Sequence, residues 1–176
     1  MLTVESSISQ QHYRQVMGRI PTSVVAITGI DATGEELGFI VGTFASLSLE
    51  PPLVTFSVAE TSSTWPRIRR SQQFSANVLA GPGSEVCSAL SRKGPGKFDG
   101  LRYETGETGV PHLLDSVAWI DCTLQAEVVV GDHFMVVGGV TGMAAADGQP
   151  LLFQGGEFGR YSGPAENAYA GSGARR

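Results

Sequence analysis

Two long β-type runs, VAWIDCTLQAEVVV and HFMVVGGVTGMAAA, meet at Gly131-Asp132. Strands of that length joined by so tight a turn must pair as a hairpin, and a large hairpin needs further strands to bury its apolar face. The chain supplies them. Ser23 to Gly29 and Glu36 to Gly42 flank the turn Asp31-Ala32-Thr33-Gly34 and pair as a second hairpin. An apolar and small-residue run from Gly38 to Leu49 stops at Pro51-Pro52, and Leu53 to Val58 follows as another strand. QFSANVLA, Gln73 to Ala80, alternates, with Phe74, Ala76 and Val78 on one face and Asn77 and Leu79 on the other. After a turn at Asp147-Gly148, PLLF closes the β pattern.

Helices are few and short. Ser7 or Ser9 caps one that runs to about Arg19, with Tyr13, Val16, Met17 and Ile20 on one buried face and Pro21 ending it. Ser62 to Arg70 reads as a second, with Pro66 in its first turn and Arg67, Arg69 and Arg70 solvated. Gly83 to Arg92 forms a third through Val86, Ala89 and Leu90, whereas Thr105 to Leu114 is a polar connection without helical period. The pattern predicts one mainly β domain over residues 1–162, with a tail from 163 to 176, rich in Gly, Ala and Ser, that is mobile or lies on a partner.

Composition narrows the partners. A net charge of −5 offers no basic field to nucleic acid or an acidic membrane surface. No stretch approaches the ~20 apolar residues of a membrane span, and the polar start MLTVESSISQQ is unlike a secretory signal, so a cytoplasmic location is expected. Cys87 and Cys122 have no metal-type spacing with His12, His112 or His133 and are read as reduced, Cys122 within a strand. No GxGxxG follows a strand, and GxSxG and HExxH are absent, which removes support for a Rossmann site, an α/β-hydrolase serine and a zincin. Around Lys93 to Gly100 a P-loop fails, because Ser91 and Phe98 stand where Gly and Ser or Thr are needed.

Chemistry concentrates between Gly38 and Trp65. Gly38 and Gly42 let a flat ligand approach the backbone, and Thr43, Ser46 and Ser48 bring hydroxyls to a surface suited to an aromatic ring. Thr61, Ser62, Ser63 and Thr64 then serve either as helix caps or as donors to an anion such as phosphate. His133 sits at the corner of the long hairpin, a structural position or a functional one.

The run SLSLEPP, Ser46 to Pro52, the triplet Gly131-Asp132-His133, the pair Lys97-Phe98 and the close Gly159-Arg160-Tyr161 together resemble the short-chain flavin reductases, and the likeness spans Tyr13 to Tyr161. The resemblance implies an FMN-binding split β-barrel, Greek-key-like, with a few short peripheral helices. It implies a homodimer with FMN or FAD near the interface and NADH or NADPH as hydride donor, supplying reduced flavin to a separate flavin-dependent monooxygenase component. By position, Ile40, Val41, Gly42, Thr43, Ala45, Ser46, Leu47 and Ser48 line the isoalloxazine, and Ser62, Thr64 and Trp65 lie near the phosphate. Asn77, Val78, Leu79, Ala80, Lys97, Phe98 and Tyr161 complete the pocket, and His133 is the catalytic candidate, orienting nicotinamide or balancing charge. Ile40 and Gly42 depart from the small or polar residues common in that family, which implies fewer polar contacts to the ring and a loosely held flavin. The alternative on the same residues is a non-catalytic barrel that carries or senses flavin or haem.

Overall fold

The computed structural model describes residues 8–81 and 83–161. In chain order the elements are α1 (Gln10–Met17), β1 (Thr22–Ser23), β2 (Val25–Ile30), β3 (Glu36–Val41), β4 (Ala45–Leu49), β5 (Pro52–Ala59), α2 (Trp65–Ile68), β6 (Gln73–Leu79) and α3 (Ser84–Leu90). There follow β7 (Tyr103–Thr105), β8 (Pro111–Leu113), β9 (Ser116–Val130), β10 (His133–Ala145), β11 (Leu151–Gln154) and β12 (Glu157–Arg160). The tail 163–176 lies outside the described residues.

Seven strands form one antiparallel sheet in the order β3-β2-β6-β9-β10-β5-β4. Its two edge strands are consecutive in sequence, and only Gly42, Thr43 and Phe44 separate them. A link that short reaches no more than about 14 Å, so the sheet has to curl until its edges approach. No ladder joins β3 to β4, and the barrel is split there; Thr43 Oγ1, in the link between them, accepts the Ser57 N–H of β5 at 2.8 Å. Bulges at Val137/Gly138 and Val140/Gly142 bend the long β9–β10 hairpin around the barrel. Gly138 is required at the bend because a Cβ there would lie 2.5 Å from Phe74 Cζ.

The strand alternation fills the barrel with Val25, Ile27, Leu37, Phe56, Phe74 and Val136, and α2 closes one end with Trp65 and Ile68. A second core lies outside the sheet, where α3 packs Val86 and Leu90 with Val24, Ala26, Phe98 and Leu113. Cys87 and Cys122 are free and buried, and burial pushes the Cys122 thiol up to about 12.

Three local readings need correction. Thr105 to Leu114 contains strand pairing, β7 against β8 with Glu104 opposite His112. Strands of three residues are too short to display a period, and what holds β8 down is polar: Thr28 Oγ1 donates to Pro111 O at 2.6 Å, and Asn77 Oδ1 accepts the Leu113 N–H at 2.8 Å. The face of α1 expected to be buried is exposed along its whole length. Arg67 and Arg69 are ion-paired rather than free, Arg67 with Asp31 and Glu35 and Arg69 with Glu127, because the barrel brings these acids from β2–β3 and β9 over α2.

Candidate functional site

The end of β5 is the meeting point. His133 lies opposite Ala59, Met135 opposite Ser57, and Asp132 O accepts the Glu60 N–H at 3.1 Å, so the β9–β10 turn is fastened to the chain as it enters the hydroxyl-rich loop. Directly paired residues share a face, which puts His133, Met135, Ser57 and Ala59 on the outside of the barrel. Thr43 reaches the same strand at Ser57. His133 Nδ1 is 2.7 Å from Asp132 Oδ1, and that contact holds the Asp132 carboxyl below the usual carboxylate range. The imidazole itself is exposed.

Further along, the loop turns under Lys97. Its ammonium donates to Leu90 O at 3.0 Å, Thr64 Oγ1 at 3.3 Å and Gly38 O at 3.4 Å, using all three donors on neutral acceptors. Partial burial lowers the Lys97 pKa. Beside it lies a cavity of about 270 Å³ whose wall includes Ser63, Thr64, Arg67, Pro95 and Lys97, with Glu35 and Glu36. The Arg67 charge is balanced by Asp31 and Glu35, whereas the hydrogen-bond partners of Lys97 are all neutral, so an anion here would meet Lys97 by exchanging for one of those partners.

The site residues read from sequence divide by placement. Ala45, Ser46 and Leu47 lie exposed on edge strand β4, with Ser48 half-buried. Ile40, Val41 and Gly42 line a separate cavity of about 250 Å³ with Phe153, Phe158 and Cys87. The Val41 side chain points into the barrel. Ser62 Oγ accepts the Trp65 N–H at 3.2 Å, capping α2, while the Trp65 indole is sealed in the core. Where Asn77 was expected to face a ligand, its amide is enclosed and donates to Thr28 Oγ1 at 2.9 Å. Leu79 and Phe98 are likewise interior, Val78 and Ala80 half-buried, and Tyr161 exposed. Buried side chains of this set support the site from below and leave backbone and shape for a ligand to meet. Glu35, Glu36 and Arg67 carry no sequence signal for this site, because only tertiary contact places them and Ser63 beside Lys97.

Two expected results follow from these contacts. Asn77→Ala would strand the buried Leu113 N–H, and unfolding in urea should show a loss of about 1–3 kcal/mol. Asp31 is held well below the usual carboxylate range, chiefly by the Thr33 hydroxyl and then by Arg67. A carboxylate depressed by folding stabilises above its unfolded pKa, and that stabilisation is lost as pH falls through the folded value. Asp31→Asn should therefore have a lower urea midpoint than the unsubstituted protein at neutral pH, with the difference shrinking as the solution is taken below the ordinary carboxylate range.

Comparison with known proteins gives one consistent picture. Residues 17–162 match the flavin reductase like domain. A flavin reductase of Pseudomonas putida is 39% identical over 160 residues, covering 90% of this chain and 94% of that protein. The crystal structure of nitrilotriacetate monooxygenase component B from Mycobacterium thermoresistibile superposes with a TM-score of 0.85 at 35% identity, covering 94% of this chain and 93% of that one. The Streptomyces globisporus NADH:FAD oxidoreductase SgcE6, solved in complex with NAD and FAD fragments, superposes with a TM-score of 0.84 at 27% identity, covering 90% and 96%.

Proposed function

This chain belongs to the flavin reductase like domain family, and from that premise we propose that it is an NAD(P)H:flavin oxidoreductase, the reductase component of a two-component system. It transfers hydride from NADH or NADPH to FMN or FAD and passes reduced flavin to a separate monooxygenase. It works in the cytoplasm as a homodimer. One observation of this chain carries the reading: Lys97, a partly buried cation whose contacts are all neutral, stands over Thr64 in a cavity wall. Such a group favours an anion, and the phosphate of a flavin nucleotide fits it.

Bound flavin would supply the two-electron chemistry, which the side chains of this protein do not possess. The residues bind and orient. Lys97 and the hydroxyls of Ser63 and Thr64 hold the phosphate end. Thr43, Ala45 and Ser46 on the barrel's split edge, with the backbone of Ile40 to Gly42, form the surface for the ring. His133, fixed by Asp132, borders the open face where nicotinamide stacks, and positions it there. Asn77 and Trp65 keep the underlying strands in place.

The test is oxidation of NADH and NADPH by the purified protein with and without added FMN or FAD. Added flavin should accelerate it strongly; no acceleration with any of the four pairs overturns the assignment. Flavin retained through gel filtration without nicotinamide oxidation would instead indicate a carrier. For His133→Ala we expect a loss in turnover of roughly threefold to tenfold, well short of the 10²–10⁴ that removing a general acid or base produces, with the flavin Kd unchanged.

A further inference from the structure

Among the described residues, nothing in its own chain buries helix α1. It has 8 residues, none buried, and isolated helices shorter than about 12–15 residues are marginal in water. Its cap, Ser9 Oγ accepting the His12 N–H at 3.2 Å, contributes too little to change that. Helices this short persist by burying an apolar face, and this one has such a face. Tyr13, Val16, Met17 and the following Ile20 sit at i, i+3, i+4 and i+7, and are 44 to 57% exposed. Among the described residues, the hydrogen bonds from the body reach the exit of the helix, where Gly155 N–H donates to Gly18 O at 3.0 Å and Gln154 Nε2 to Arg19 O at 2.8 Å.

A second apolar surface is uncovered at the tip of the β9–β10 hairpin. Val128 pairs with Met135 and Val130 with His133, so these side chains share the outer face, and Val128, Val130 and Met135 are 41 to 55% exposed. The surroundings of the two surfaces have opposite charge. From Gln10 to Ile20 the chain carries Arg14 and Arg19 and no acid. At the hairpin tip the Asp132 carboxyl is 95% exposed, with exposed Glu60 bonded alongside through its backbone.

We propose that α1 is an exchanged arm: in the homodimer, its apolar stripe lies on the β9–β10 tip of the second copy, with Arg14 and Arg19 facing that copy's acidic rim. Two-fold symmetry makes the contact twice and covers both orphan surfaces on both chains. Packing α1 against its own symmetry mate would set arginines against arginines and leave the hairpin tip bare. The inference rests on the reductase reading for its consequence: the arm supplies a wall of the nicotinamide slot beside His133, so the slot is complete only in the dimer.

Chains carrying Val16→Cys and, separately, Val130→Cys test the arrangement, since native Cys87 and Cys122 are buried. After the two chains are mixed and allowed to exchange, a short bismaleimide should link one of each into a covalent dimer. No mixed product, self-linking of Val16→Cys as the main product, or linkage only when both cysteines are placed in one chain overturns the proposal. A second variant, Val16→Asp with Met17→Asp, removes no core contact. It should keep the circular dichroism spectrum, sediment as a monomer and raise the nicotinamide KM about tenfold, a binding loss of about 1.4 kcal/mol. A persistent dimer overturns the arm equally. Should the unsubstituted protein reduce no flavin, the functional assignment fails while the cross-linking result still stands or falls by itself.

Discussion

Trp65→Ala should cost about 3–5 kcal/mol of stability, a large share of the roughly 5–15 kcal/mol that holds a domain folded. The indole is 0% exposed and packs edge-on against Phe39, Phe56 and Phe74, with ring centroids 6.3, 5.4 and 6.1 Å away. It is the stopper at the end of the barrel, so alanine leaves a cavity bounded by rings on three strands that cannot collapse independently. The indole Nε1–H also donates to Glu127, which Arg69 holds from the other side. Trp65→Phe separates the two contributions. It retains most of the ring packing and loses the N–H, so its cost should be about 1–3 kcal/mol, set by the deprived carboxylate and the smaller ring. Urea unfolding of both variants measures the difference. Equal losses would mean that the Glu127 contact, rather than the packing, secures the stopper.

Lys97→Met should raise the FMN dissociation constant about tenfold to a hundredfold. A hydrogen bond to a charged group contributes about 1.5–3 kcal/mol, and each 1.4 kcal/mol is a factor of ten. The variant keeps the length of the side chain and removes the charge. Lys97 also clasps three elements, because its acceptors belong to β3, the end of α3 and the loop before α2. Riboflavin, which lacks the phosphate, tells the two roles apart. Fluorescence titration should show riboflavin binding about equally to both proteins while FMN binding collapses in the variant. If riboflavin weakens as much as FMN, Lys97 acts by closing the loop and the phosphate lies elsewhere.

Features governed by neighbours in sequence were legible before any coordinates. The β9–β10 hairpin follows from two β-rich runs around a glycine turn, and Gly131 indeed takes φ of 65°. The alternation of Gln73 to Ala80 correctly separated Phe74 and Ala76, inside the barrel, from Leu79 in the outer core. The spacing of Val86 and Leu90 predicts the buried face of α3, and both are buried. The SLSLEPP and Gly-Asp-His runs carried the family, which the comparisons bear out.

Other features depended on which distant residues arrive at the same place. Asn77 has the same identity whether it faces a ligand or holds β8, and only the approach of Thr28 and Leu113 decides between them. Arg67 and Arg69 look like a solvated run until Asp31, Glu35 and Glu127 are folded over α2. The apolar period of α1 predicts a buried face, and among the described residues that face is exposed, because periodicity carries no information about whose surface covers it. Sequence by itself thus determined the longer strands, their turns, the buried face of α3 and the family, because each depends on residues a few positions apart. Tertiary structure decided the curl that joins β3 to β4, the partners of the buried polar groups and the placing of Lys97 over Thr64, because those depend on long-range approach, to which local patterning is blind.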